Sequence, residues 1–241
     1  MKTGIILQAR CNSKRFPKKV LKKINNKSIL ELVIERLKNI KNLSLIVATT
    51  TSKDDDEIYK ISKKNGVLCF RGKTNDVLSR YYEAANKYEL NIIIRCTADC
   101  PFIDRKILNK MLKKYLNNKY DYFSNILEPS FPSGLHVEIL NFKTLKIAHK
   151  EAIKKSDREH VTPYIYRKRN KFKIGSFKQK INQSFHRWTI DYKEDLKFVK
   201  KVYKEFNYKN SFQMKDILRL LKKKPEIMNI NYFLKKKQNL L

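Results

Sequence analysis

Four short apolar runs, each followed by a segment whose apolar residues recur at helical spacing, occupy the N-terminal half of this chain. The runs are Thr3 to Ala9, Leu43 to Thr49, Val67 to Phe70 and Asn91 to Arg95, and Ile92-Ile93-Ile94 is the clearest central-strand signal. Between and after them lie the helical segments Ser28 to Leu37, Asp54 to Lys64, Asp76 to Tyr88 and Asp104 to Leu116. Strands that alternate with helices in this way form a mostly parallel sheet covered on both faces. The expected fold is therefore α/β and Rossmann-like.

The regularity loosens after residue 116. Tyr120 to Ser124 and His136 to Leu140 read as strands, and Glu128 to Gly134, with two prolines and a glycine, reads as a loop. A helix from about Asp157 to Arg169, strands at Phe172 to Phe177 and Trp188 to Ile190, and two terminal helices complete the pattern. No internal repeat or linker divides the chain. The expectation is one domain over residues 1–241 with a smaller inserted or appended lobe near 125–185.

Composition narrows the class of protein. With 41% hydrophobic residues and only 5 Gly and 6 Pro in 241 residues, the chain can bury a full core and is not a low-complexity sequence. No stretch approaches the roughly 18 apolar residues of a membrane-spanning helix, and Gly4-Ile5-Ile6-Leu7 is too short for a signal-peptide core. A cytoplasmic location is expected. The cysteines Cys11, Cys69, Cys96 and Cys100 include no C-x-x-C pair and no clustered histidine, so free thiols are expected rather than a zinc site.

The net charge of +32, from 55 Lys and Arg against 23 Asp and Glu, raises nucleic-acid or anionic-surface binding as a reading. Its distribution favours a solvated face. Lysines are spread over nearly every segment, and the densest runs, Lys222-Lys223-Lys224 and Lys235-Lys236-Lys237, lie at the C-terminus, so dedicated nucleic-acid binding is not expected.

Ligands of open parallel sheets bind beyond the carboxyl ends of the strands. The loop after the first strand, within QARCNSKRFPKKVL (8–21), collects Arg10, Lys14, Arg15, Lys18 and Lys19 around Ser13, a composition suited to a polyphosphate or, more plainly, to a solvated basic loop. It is neither a Walker A loop nor a G-x-G-x-x-G turn. Asp99 follows the fourth strand and Asp191 ends Arg187-Trp188-Thr189-Ile190-Asp191, so the two are candidate Mg²⁺ ligands, with helix or turn caps as the alternative. Glu194 and Asp195 suit the opening of the next helix.

Six segments in order, QARCNSKRFPKKVL, FRGKTNDVLSRYYEAA (70–85), IRCTADCPFID (94–104), FPSGLHVEIL (131–140), REHVTPYIY (158–166) and RWTIDYKEDLKFV (187–199), carry a family resemblance. The chain resembles the cytidylyltransferases of the spore coat polysaccharide biosynthesis protein F type, relatives of the enzymes that make CMP-activated acidic sugars such as CMP-3-deoxy-manno-octulosonate and CMP-pseudaminate. The likeness runs over about residues 3–200. It implies a nucleotide-diphospho-sugar transferase-like fold, a homodimer, and transfer of CMP from CTP to a sugar or sugar acid with release of pyrophosphate and use of Mg²⁺.

Carried onto this sequence, the resemblance implies that Arg10, Ser13, Arg15 and Lys19 hold the triphosphate, that Arg71, Arg95 and Thr97 line the nucleoside pocket, and that Asp99 and Asp191 hold the metal. Arg15, Lys19 and Asp99 are then the catalytic candidates, stabilising charge on the phosphates and leaving group. His136 and Glu138, two apart on an expected strand, are the acceptor candidates. The chain departs from the family pattern at Asn12 and Lys18, where glycine is usual, and at His136, where aspartate is common. Asn12 tolerates a positive φ, whereas Lys18 is expected to alter how the loop closes.

Plainer readings attach to other residues. His160 is expected to pack a helix or subunit contact, Trp188 to fill the core, and Arg158 and Glu159 to form weak surface pairs. Two further functions fit the chain: nucleotidyl transfer to a non-sugar alcohol or phosphate, and a basic RNA- or anionic-surface-binding protein on a degenerate transferase fold. Retention of Arg15, Lys19, Asp99 and Asp191 argues against degeneracy.

Overall fold

A computed structural model describes residues 1–234; Lys235-Lys236-Lys237 lie outside the described residues. The first four expected strands form as β1 (Thr3–Gln8), β4 (Leu43–Thr50), β5 (Leu68–Gly72) and β6 (Ile92–Thr97). A short hairpin that the sequence pattern did not reveal, β2 (Lys23–Ile24) and β3 (Lys27–Ser28), intervenes across Asn25 at φ +54°. The expected helices are α1 (Ile29–Leu37), α2 (Asp56–Lys64), α3 (Val77–Lys87) and α4 (Arg105–Asn118). Ser28 opens α1 through a capping box with Glu31, and Asp104 caps α4 by accepting from the backbone N–H groups of Lys106 and Ile107.

Beyond α4 come β7 (Tyr122–Ser124), β8 (Glu138–Asn141), α5 (Phe142–Glu151), α6 (Lys155–His160), α7 (Pro163–Arg167), β9 (Ile174–Ser176), α8 (Lys193–Glu205), α9 (Met214–Lys223) and α10 (Glu226–Asn229). Helix α5 was not expected from the sequence; Asn141 starts it by accepting from Thr144 N–H at 2.8 Å. The single helix expected over 157–169 is two, because Val161 turns at φ +73° and Pro163 has no N–H to continue the first helix but suits the start of the second. No helix among the described residues is long and apolar enough to cross a membrane.

The main sheet has seven strands in the order β5-β4-β1-β6-β8-β7-β9. Strands β5, β4, β1 and β6 are parallel, β8 runs antiparallel to both β6 and β7, and β9 is parallel to β7. Alternation along β1 sends Ile5 and Leu7 into a core shared with α1, α2, α4 and α8, and Ile6 into a second core shared with α3, α5 and α7. Helices therefore cover both faces, as the strand composition required. The segment 125–185 contributes β8 and β9 to this same sheet.

The expected strand at Trp188 to Ile190 does not form. Its backbone has successive partners in different segments, Trp188 N–H donating to Ser133 O at 2.7 Å and Ile190 N–H to Asp99 O at 2.9 Å, so no ladder can propagate. Gly134, at φ +104°, makes this crossing possible, since a Cβ there would lie 2.6 Å from the Trp188 carbonyl carbon. Trp188 is fully buried, as expected.

After β1 the chain moves outward to β4 and β5, then returns to place β6 on the other side of β1. The loops leaving β1 and β6 consequently diverge at the switch point of the sheet, where a crevice opens. This places Arg10 to Lys19 opposite Asp99.

Candidate active site

The loop after β1 is held from below by a buried carboxylate. Asp55 Oδ1 accepts from Cys11 N–H at 2.7 Å, and Oδ2 accepts from Thr49 Oγ1 at 3.0 Å and Thr50 N–H at 3.1 Å. Burial pushes the Asp55 pKa up, but these hydrogen bonds outweigh it and hold it below the usual aspartate value. Sequence reading did not single out Asp55; its acid-rich setting at a helix start was the available signal.

The loop closes as Lys18 N–H donates to Cys11 O at 2.8 Å. Lys18 itself is left-handed, at φ +55° and ψ +25°, while Asn12 is not among the residues of positive φ, so the backbone demand falls on the lysine alone. Replacing Lys18 by glycine is expected to remove that strain against a smaller entropic cost, raising stability by about 0.5 kcal/mol without loss of turnover. Thermal unfolding alongside a turnover assay checks this.

The turn that follows directs Lys19 inward, and its side chain is buried. Its Nζ donates to Asp99 Oδ2 at 2.6 Å, Ile190 O at 2.8 Å and Asp191 Oδ1 at 2.9 Å. One ammonium thus joins the ends of the loops after β1 and β6 to the segment before α8. Burial alone would lower the Lys19 pKa, but Asp99 and Asp191 outweigh it and raise the value above that of ordinary lysine.

Asp191 is the more enclosed carboxylate. Besides Lys19, its Oδ1 meets Arg15 Nη2 at 2.8 Å, and its Oδ2 accepts from Arg187 Nη2 at 3.1 Å. Burial raises its pKa, yet Lys19, Arg15 and Arg187 together hold it below the usual range. Arg187, unassigned by sequence reading though it begins the RWTID segment, is buried and donates through Nε to Asp195 Oδ1 at 2.8 Å. Asp195 opens α8 as expected and also accepts from the N–H groups of Asp191 and Tyr192.

A depressed folded pKa adds stability that is present above the ordinary carboxylate pKa and lost as pH falls through the folded value; a raised lysine pKa acts in the opposite sense at the alkaline end. The stability difference between the parent and Asp191→Asn should therefore stay constant from about pH 6 to 9 and shrink below about pH 4. Urea unfolding across that range measures it.

Two adjoining cavities open beside this network. The first, about 460 Å³, is lined by Arg10, Ser13, Lys14, Arg15, Lys19 and others from the β1 loop and the end of β6. The second, about 370 Å³, is lined by Ser133, His136 and Thr189 among others. Arg15, Arg95, Thr97, Asp99 and Asp191 border both. The arrangement can hold a polyanion in one cavity and bring a second, hydroxylated molecule to it from the other.

Most of the expected site residues meet here, with three qualifications. Arg71 does not line either cavity: its guanidinium is tied to Thr50 O at 2.8 Å, Ser52 O at 2.7 Å and Asp56 at 2.7 Å. Glu138 is buried behind the cavities, pairing with Arg95 and accepting from Tyr122 Oη at 2.6 Å, so it orients Arg95 from behind. His136 precedes β8, so the two do not share a strand face. Arg158 and Glu159 pair separately, with Asp76 and Arg10. Glu159 and His160, read as surface and packing residues, line the first cavity.

A profile of the cytidylyltransferase family matches residues 4–225, and the chain belongs to that family. It is 39% identical over 236 residues to an uncharacterised protein of Methanocaldococcus jannaschii, covering 96% of this chain and 95% of that protein. The spore coat polysaccharide biosynthesis protein SpsF of Bacillus subtilis is 28% identical over 229 residues, with 92% of this chain and 94% of that protein covered. The solved cytidylyltransferase of Leptospira borgpetersenii serovar Hardjo-bovis superimposes with a TM-score of 0.89 at 36% identity, covering 95% and 97% of the two chains.

Proposed function

We propose that this protein transfers CMP from CTP to a sugar or sugar acid in the synthesis of a surface polysaccharide or glycan, releasing pyrophosphate. The observation that carries the reading is the Lys19 ammonium, shared between Asp99 and Asp191 at the edge of a cationic cavity that adjoins a second cavity of hydroxyl and imidazole groups. Family membership supports the nucleotide. The name of the Bacillus relative supports the polysaccharide setting.

Arg10, Ser13 and Arg15 bind and orient the triphosphate in this reading, and Arg95 and Thr97, which border both cavities, line the nucleoside pocket. The acceptor hydroxyl oxygen forms a bond to the α-phosphorus as the bond to pyrophosphate breaks, and Lys19 and Arg15 offset the charge gathering on the departing oxygens. The donors fit magnesium: Asp99 and Asp191 place carboxylate oxygens on either side of the Lys19 ammonium, both border the two cavities, and Asp99 keeps 23% of its side chain exposed. Magnesium takes a few carboxylates together with water and substrate phosphates, and when bound it would supply charge neutralisation at the phosphates. Asp99 and Asp191 would hold it.

The reading includes a homodimer, as the family resemblance implies, and a reducing, cytoplasmic setting, which the free cysteines support. A pyrophosphate-release assay of four nucleotides against acidic sugars, with and without Mg²⁺, tests the activity. CTP-selective turnover is expected. Equal nucleotide affinities that collapse together at moderate salt would instead favour nonspecific polycation binding.

A further inference from the structure

The end of α6 is built to present a carboxylate to the nucleotide cavity. Arg158 fixes the helix: its Nε donates to both carboxylate oxygens of Asp76 at 3.1 Å, and its Nη1 donates to His149 O at 2.7 Å. The next residues, Glu159 and His160, line the cavity. The chain then reverses in a tight turn in which Thr162 N–H donates to His160 O at 2.9 Å across Val161, at φ +73° and ψ −54°. This is the strained form of the γ-turn, here on a fully buried β-branched residue. Such strain persists where the surrounding structure enforces it, and it concentrates at functional sites.

Of the three acidic side chains lining the first cavity, Asp99 and Asp191 are engaged with Lys19 and its neighbours. Glu159 has one long contact, 3.5 Å to Arg10 Nη2, and 55% of its side chain is exposed. A carboxylate repels phosphate and accepts only from donors, which in CTP and a sugar are the hydroxyl groups and the cytosine 4-amino group; beside Arg10, which binds the phosphates in this reading, the hydroxyls of the ribose and of the acceptor are the donors within reach.

We propose that Glu159 is a specificity-determining residue that accepts hydrogen bonds from substrate hydroxyls, those of the nucleotide ribose or of the acceptor sugar. The inference rests on the nucleotidyl-transfer reading above. Arg10, while paired with Glu159, keeps the carboxylate turned into the cavity, and phosphate binding to Arg10 releases it for the hydroxyls.

Calorimetry of the full chain and of Glu159→Ala with CTP and with 2′-deoxy-CTP, together with the KM of each for an acidic sugar that supports turnover, tests the proposal. A ribose contact predicts that the parent prefers CTP by about tenfold, as expected for a hydrogen bond to a charged group. The variant should lose most of that preference without weakening its binding of the deoxynucleotide. An acceptor contact predicts equal nucleotide preferences and an acceptor KM raised about tenfold in the variant. The proposal is overturned if Glu159→Ala tightens both nucleotides alike with an unchanged acceptor KM, since the carboxylate would then only oppose phosphate, or if neither quantity changes. If the parent binds CTP and these ratios do not move, the inference alone fails; if the parent binds no CTP, the nucleotidyl-transfer reading fails and takes the inference with it.

Discussion

Lys19→Met is expected to lower kcat/KM by about two to three orders of magnitude, the scale of removing a preorganised cation from developing phosphate charge. It should also cost about 2 kcal/mol of stability, because the methionine keeps the stem but leaves Asp99 and Asp191 facing each other without their shared ammonium. A lysine in a basic loop would ordinarily be discounted as a stability determinant. This one is 8% exposed and touches three acceptors from two distant segments. Lys19→Arg should not restore turnover, since a planar guanidinium cannot point three donors at the convergent acceptors that a tetrahedral ammonium reaches. Pyrophosphate release and urea unfolding of the two variants measure both effects. Turnover within a few-fold of the parent for Lys19→Met would remove Lys19 from the chemistry.

The two aspartates should separate in stability while agreeing in activity. Asp191→Asn withdraws charge from between Lys19, Arg15 and Arg187 in a buried setting, and is expected to cost about 3 kcal/mol. Asp99→Asn keeps the Thr97 hydrogen bond and lies nearer solvent but turns an amide N–H group toward Lys19, so its cost should be smaller, about 1–2 kcal/mol. If the two hold one magnesium as proposed, each should reduce turnover assayed with Mg²⁺ by about a hundredfold, with the double variant little worse than the poorer single one, because groups acting through one cation are not additive. Independent, small activity losses would mark the two as structural acids.

Local pattern carried a large part of this fold. The buried runs of β1, β4 and β6 and the helical periodicity of α1 to α4 are properties of neighbouring residues, so they can be read without knowing what packs against them. The elements that escaped depend on distant partners. Trp188 to Ile190 has the apolar character of a strand, yet its backbone donors are claimed by Ser133 and Asp99, and α6 and α7 are separated by a turn that Val161 adopts only under enforcement from its buried surroundings.

The candidate site divides in the same way. Sequence alone determined which residue types crowd the ends of β1 and β6, and the order of six segments pointed to the family and, by resemblance, to the roles proposed for Arg10, Ser13, Arg15, Lys19, Asp99 and Asp191. Tertiary structure decided what each faces. It carried Lys19 across 172 positions of sequence to Asp191, withdrew Arg71 to the β4–α2 loop, put Glu138 behind Arg95, and brought Glu159 and His160 to the cavity. The physical reason is that residue type fixes which charge or hydrogen bond a side chain can offer. Which partner accepts that offer depends on where the sheet's switch point and the crossing segment at Gly134 bring distant chain together.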